Sequence, residues 1–377
     1  MPTPSLLCSE EVANRLRPLY ESRGFYRTIP PTFEDYSLYT DNRNFLDCDH
    51  VITFMDMDGN LQALKSDVTL SIVKRIPREV LPVQEKVYYL DQVYRSNQES
   101  RSYQVVSQIG VELIGREDPF TNLETVDLAL DSLRLISPDY LLNISHLGIV
   151  GGLLEQLGLT QEARRQVLEV IHAKSPHTLA HTLDRIGLAG ADRQAVLSLM
   201  DLHGPFAKVL PRIEALCRGP QMEEACRQLR QLSGVIAGRG DGRCFFDCSV
   251  VSDLDYYNGL LLQGYIKGVP KAILTGGRYD PLLQRMGGQG SAIGFGINLS
   301  EYALYQKRAA GRELDCVIYY QPGCDFALLL AAQKRLAGDG ARVRLEPHPA
   351  PGRPLPFPSV KGYRFTPHNL LEEVPPC

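Results

Sequence analysis

Apolar and polar positions alternate from residue 103 to residue 113. Tyr103, Val105, Ile109, Val111 and Leu113 fall on one side of the period, and Gln104, Gln108, Gly110 and Glu112 on the other. That pattern predicts a half-buried β-strand. The preceding run, Lys86 to Arg95, is also strand-like, and Ser96 to Ser102 is a polar turn, so together they predict a hairpin with a long loop. Gln108 and Glu112 flank a glycine, Gly110. A missing side chain between two hydrogen-bonding groups would leave a slot where a small polar ligand could lie close to the backbone. A plain solvent-facing hairpin shows the same alternation.

The remaining elements follow from the same patterning. Ser9 to Arg23 predicts a helix, with Ser9 as N-cap, Val12, Leu16, Leu19 and Tyr20 as its apolar stripe, and Gly24 as its stop. Phe25 to Tyr36 reads as extended around Pro30 and Pro31. Val51 to Leu64 gives two alternating runs joined through Asp58 and Gly59, and Lys65 to Arg75 a helix starting at Ser66 or Asp67. A carboxylate at that start is an ordinary cap. Pro119 to Ile136 predicts a helix with an acidic exposed face, and Leu141 to Ile144 a short strand. Residues 150–238 are rich in Leu and Ala at helical spacing and read as an all-helical insertion. Strands return at Cys244 to Ile266, where paired Tyr256 and Tyr257 fit either a cross-strand aromatic pair or a pocket floor. Ile273 to Tyr279 runs into a diglycine turn, and a strand–turn–helix begins at Gly287. From Glu313 the chain predicts one βαβ unit. The Pro-rich run after residue 346 reads as an extended, docked or disordered tail.

Composition narrows the class. A chain of 377 residues accommodates two or three domains. Its apolar share of 44% and charged share of 22% are those of a soluble globular protein. A formal net charge of −4 demands no nucleic-acid partner. There is no apolar run of membrane-spanning length and no evident secretory signal, so a cytoplasmic location is expected. Nine scattered cysteines without a C-x-x-C fit buried thiols in a reducing compartment. His172, His177, His181 and His203 do not fall at a metal-ligand spacing. The arginines of residues 150–238 are interspersed with acids, as on a solvated helical face.

Several of these stretches resemble histidyl-tRNA synthetases. Tyr94–Arg95, a polar loop and then SQIGVE resemble motif 2 of that family, in which the arginine holds a phosphate and the glutamine and glutamate hold histidine. The resemblance gives those roles to Arg95, Gln108 and Glu112. Asp67 and Thr69 fall where the family's Arg-Pro-Glu-Gly-Thr turn binds the substrate's ammonium. Asp255, Tyr256 and Tyr257 match the histidine-specific loop, and Gly276, Gly277 and Arg278 lie in a family-like turn. The implied histidine site is therefore Asp67, Thr69, Gln108, Glu112, Tyr256 and Tyr257. Arg95, Gly276, Gly277 and Arg278 would form its phosphate-like or pocket side. Four positions depart from the pattern. Val106 replaces the adenine-stacking aromatic, Asn97 a glutamate, Ser252 the catalytic arginine, and Glu301 the arginine of motif 3. A serine and a carboxylate cannot neutralise triphosphate charge in place of two arginines.

The resemblance implies an α+β fold, a mixed, mostly antiparallel class II aminoacyl-tRNA synthetase-like sheet flanked by helices. Residues 1–149 and 239–310 would form that core, and 150–238 the helical insertion. Residues 313–346 would be a small α/β remnant like the start of an anticodon-binding domain, and 347–377 the tail. A kept amino-acid slot beside a lost ATP site resembles the regulatory subunits of ATP phosphoribosyltransferase, which act in the first step of histidine biosynthesis. That implies a non-catalytic protein with no cofactor and no metal. Its expected partners are the short-form catalytic subunit, in a hetero-oligomer, and a second copy of the core, with L-histidine as ligand; neither tRNA nor a membrane is expected. Two alternatives stay open: a divergent histidyl-tRNA synthetase that activates histidine with ATP, and a free-standing histidine-binding module.

Overall fold

The alternating run becomes the strand Ser102–Gly115, paired antiparallel with Glu85–Asn97 from Glu85 opposite Ile114 to Asn97 opposite Ser102. The structure is a computed structural model describing residues 4–42, 51–79, 81, 83–97, 101–240, 242–250, 256–306, 314–338, 340–350, 353–357, 360–366, 368 and 371–374. The chain divides into two units, Met1–Gln306 and Lys307–Cys377.

In the first unit the hairpin is part of a nine-stranded sheet. From one edge the order is Tyr26–Arg27, Glu85–Asn97, Ser102–Gly115, Ser291–Asn298, Leu274–Arg278, Leu260–Ile266, Tyr140–His146, Cys244–Asp247 and His203–Pro205. Pairing is antiparallel through the centre and parallel only at Tyr26–Arg27 with Glu85–Asn97 and at Tyr140–His146 with Cys244–Asp247. This is the mixed, mostly antiparallel sheet that the motifs implied.

Both faces of the central strands are covered. Helices Pro4–Ser22 and Phe120–Ile136 bury Leu16, Tyr20, Leu128 and Leu133 in one cluster with Ile109, Val111 and Phe295. On the other face the helix Val68–Val73 joins Val87, Tyr89 and Ile114. A surface hairpin would leave the Glu112 side in water, yet Glu112 is 2% exposed. Only the hairpin's far end is open, where Tyr103 is 78% exposed. A small sheet of Phe33–Asp35, Leu61–Leu64 and Thr53–Met55 leads into the Val68–Val73 helix. Its turn is held by Asp56 Oδ1, which accepts from the N–H groups of Asp58 and Asn60, and by Gly59 at φ +83°.

Three expectations change, and the reading of the tail is narrowed. The first helix starts at Pro4, so Ser9 lies inside it and is no cap; its hydroxyl donates to Leu299 O. The acids of Phe120–Ile136 do not face open water. Glu124 pairs with Lys86, while Asp127 and Asp131 are shared by Arg23 and Arg239. Residues 150–238 are not purely helical: His203–Pro205 forms the outermost strand, and the helices around it share their apolar core with the sheet. The tail is partly strand. In the second unit Cys316–Tyr320, the helix Phe326–Ala337 and Val343–Pro347 form the βαβ unit, to which Lys361–Phe365 and Leu371–Val374 add two more strands. Burial of Phe365 with Ile318 and Leu329 gives that segment the apolar anchor that its prolines obscure.

Candidate functional site

The strands Ser102–Gly115, Ser291–Asn298 and Leu274–Arg278 meet the Val68–Val73 helix around a small polar recess. It is lined by Thr69, Glu112, Tyr256, Tyr257, Thr275 and Tyr279, over a floor that includes Gly276, Gly294 and Gly296. Glu112 lies directly across from Gly294, where a β-carbon would fall 1.9 Å from Glu112 Oε2. The glycine therefore makes room for the carboxyl. Thr69 Oγ1 donates to Glu112 Oε1 at 2.8 Å and Tyr279 Oη donates to Oε2 at 2.5 Å. Burial outweighs these two donors and pushes Glu112 up to about 8. A carboxyl that changes charge near neutrality can meet an imidazole in either state, accepting from its N–H or donating to its bare nitrogen.

Aromatic rings close the recess. Tyr256 and Tyr257 lie 4.4 Å apart by ring centroid, and Tyr256 lies 6.1 Å from Tyr279. Gly277 gives Tyr257 its place, since a β-carbon there would meet Leu260 O at 2.5 Å and the Tyr257 ring at 3.0 Å. Gly276 lets the neighbouring strand approach, with Gly294 O 2.2 Å from where its β-carbon would be.

Asp67 ends an extended segment (φ −146°, ψ 135°) and caps the helix, its Oδ1 accepting from Leu70 N at 2.8 Å. Burial raises its pKa, opposed by the Leu70 N–H and the nearby Arg95. Arg95 is exposed, and its Nε donates to Ser66 O at 3.3 Å. The turn thus brings Thr69 into the recess; Asp67 and Arg95 do not line it, although the Asp67 charge is felt at Glu112 and Tyr256.

The slot expected at Gly110 is filled. A β-carbon on Gly110 would fall 2.4 Å from Tyr89 Oη, and one on Gly296 2.8 Å from the same atom. Tyr89 stands across the hairpin from Gly110 and lays its phenol over both glycines. Gln108 consequently falls beyond that phenol and is not among the residues lining the recess; its cross-strand neighbours are Asp91 and Asn298. Arg278 also lies elsewhere. Its guanidinium is engaged by Asp280 at 2.7 Å and Glu117 at 3.1 Å. Asp255 and Ser252 lie outside the described residues. Tyr89, Thr275 and Tyr279 were not singled out from sequence. For Tyr89 the available signal was its phase, since it pairs opposite a glycine that needs a neighbour's ring.

Outside the recess, Ser107 N donates to Ser300 Oγ at 2.9 Å, and Glu301 sits half-buried in the first turn of Leu299–Tyr305. Val106 packs against the apolar cluster on the recess side of the sheet. At position 301 the chain carries a carboxylate where the resemblance leads one to expect a positive charge.

This sheet with its recess is a class II aminoacyl-tRNA synthetase-like core. The family model described as histidyl-tRNA synthetase matches residues 5–302, and the chain belongs to that family. A relative from Oceanobacillus iheyensis named ATP phosphoribosyltransferase regulatory subunit is 26% identical over 344 residues, covering 89% of this chain and 84% of the relative. Among solved structures, one from Bacillus halodurans described as an ATP phosphoribosyltransferase regulatory subunit/histidyl-tRNA synthetase superposes with a TM-score of 0.78 at 21% identity. That match spans 96% of this chain and 94% of the other. A chain of the ATP phosphoribosyl transferase complex from Thermotoga maritima superposes with a TM-score of 0.61 at 18% identity, over 77% of this chain and 97% of that one.

Proposed function

We propose that this chain is a non-catalytic regulatory subunit of ATP phosphoribosyltransferase. It assembles with the short-form catalytic subunit, supports its activity and contributes to feedback inhibition by histidine. One observation carries this reading: the recess keeps a carboxyl, two hydroxyl donors and a set of tyrosines suited to an imidazole-bearing amino acid, while position 301 carries a carboxylate. The names of the relatives support it. In this reading histidine occupies the Glu112 recess, with Asp67 and Thr69 toward its ammonium, and the core pairs as a homodimer in the cytoplasm. A ligand that binds two assembled states unequally shifts their balance, which is all such inhibition requires.

The test is to mix the full chain with a short-form catalytic subunit and measure co-elution and turnover with and without histidine. The reading requires a complex whose rate differs from that of the catalytic subunit alone and falls with histidine. Absence of both co-elution and any rate change sinks it. A divergent synthetase is the second reading, favoured by the retained Arg95 and by the family's description. Appreciable histidine-dependent ATP–pyrophosphate exchange would establish it.

A further inference from the structure

Lys65 has no exposed surface, and its ammonium sits inside the fold. Nζ donates to Asp91 Oδ2 at 2.5 Å and to Pro30 O at 3.3 Å. A buried cation persists only beside a paired charge, and its removal leaves that charge stranded. Asp91 is itself held in place, with Oδ1 accepting from Gln92 N at 2.7 Å, and it stands directly across the hairpin from Gln108. The same lysine is fixed through its backbone: Lys65 N donates to Thr32 O at 2.9 Å and Tyr94 N donates to Lys65 O at 2.8 Å. Ser66 N donates to Tyr39 Oη at 3.1 Å. Two residues after this clamp the chain reaches Asp67, still extended, and then Thr69 on the helix.

We propose that Lys65, acting through Asp91, is a positioning residue for the amine-recognising end of the recess. The ion pair fixes the turn that carries Asp67 and Thr69 against the long hairpin that carries Glu112. Lys65 is not among the residues that line the recess. Its loss should therefore loosen Asp67 most, two residues on, while Tyr279 still holds the Glu112 carboxyl and the tyrosines that face an imidazole stay in place. This inference rests on the reading of the recess as a histidine site.

Calorimetry on the full chain with two probes tests it. L-histidine carries an imidazole, a carboxylate and an amine, whereas imidazole-4-propionate lacks the amine. Lys65→Met should bind histidine about tenfold or more weakly, the usual scale for one disturbed charged contact, yet bind imidazole-4-propionate within about twofold of wild type. Lys65→Arg, which keeps the ion pair, should stay within about threefold for both probes. Unchanged histidine affinity in Lys65→Met overturns the positioning role, as does a parallel loss of both probes. If Lys65→Met does not fold, Asp91→Glu, which keeps the charge on a longer arm, is read by the same two-probe comparison. A wild type that binds neither probe overturns the histidine reading and the positioning role with it. Wild-type binding with an unaffected Lys65→Met overturns the positioning role alone.

Discussion

Tyr279 donates its phenolic hydrogen to Glu112 Oε2 across 2.5 Å, while Thr69 holds the other carboxyl oxygen. The carboxyl is therefore satisfied by two neutral hydroxyls rather than by a cation, so burial dominates its titration. A ligand entering the recess must replace one of these hydroxyls or share the carboxyl with them. An imidazole nitrogen can do either, because it donates or accepts according to its tautomer.

Glu112→Ala should weaken histidine binding by about 1–3 kcal/mol, the range for unpairing a buried polar contact. Gln108→Ala should change it less, because the Tyr89 phenol lies at Gly110, between Gln108 and the recess. Calorimetric titration of the two variants checks the order. A larger loss from Gln108→Ala would place the ligand on the far side of that phenol.

The same carboxyl predicts a pH dependence of stability. Glu112 holds its proton up to about pH 8 in the folded chain and releases it near 4.5 when unfolded. Between those values the folded state binds more protons, so this group's contribution falls as pH rises and levels off above about 8. Each unit of difference is worth about 1.4 kcal/mol at most. Glu112→Gln should flatten that decline in urea-unfolding free energies measured from pH 5 to pH 9. A variant that declines as steeply as the wild type would show that Glu112 is ionised across the range.

The elements that share one local period were legible in the sequence. Strand Ser102–Gly115, the Asp58–Gly59 turn and the Asp67 cap each follow from side chains a few residues apart. The features that sequence reasoning missed depend on partners brought together from afar. Tyr279 and Glu112 are 167 positions apart, and Ser300 meets Ser107 across 193. The acidic stripe of Phe120–Ile136 was misread for the same reason: Arg23, just past the first helix, and Arg239, at the end of Gly219–Arg239, reach it from parts of the chain that no local pattern places there. Motif matching supplied Glu112, Thr69, Tyr256 and Tyr257 because residue types survive in a motif. It also offered Gln108 and Arg278, which do not line the recess: the Tyr89 phenol lies at Gly110, and Asp280 and Glu117 engage Arg278.

The two glycines beneath Tyr89 differ in a testable way. At Gly110 a β-carbon would strike both the Tyr89 hydroxyl and the backbone oxygen of Phe295, at 2.4 and 2.5 Å. At Gly296 it would meet the hydroxyl alone, at 2.8 Å. Both alanine variants should destabilise by about 1–3 kcal/mol, as overpacking does. Removing the hydroxyl with Tyr89→Phe should recover most of the Gly296→Ala loss and little of the Gly110→Ala loss. Equal recovery at the two sites in denaturant melts would show that the phenol swings away from both.

Asp127 and Asp131 tie three separate helices together. Arg239, at the end of Gly219–Arg239, reaches Asp127 at 2.6 Å and Asp131 at 2.8 Å. Arg23, just past the first helix, reaches the same two aspartates at 2.9 and 3.0 Å. The Arg239 and Asp131 side chains are only 13% and 12% exposed, so this is not an ordinary surface pair. Arg239→Met should lower unfolding free energy by about 1–3 kcal/mol, less than the loss of a fully buried pair because Arg23 remains. Arg23→Met should lower it less, since that side chain is 39% exposed and screened by water. Combining them strands Asp127 and leaves Asp131 with the exposed Arg134 at 3.0 Å, so the double variant should lose more than the sum of the singles by at least about 0.5 kcal/mol. Strict additivity in that cycle would mean that the two arginines contribute independently of one another.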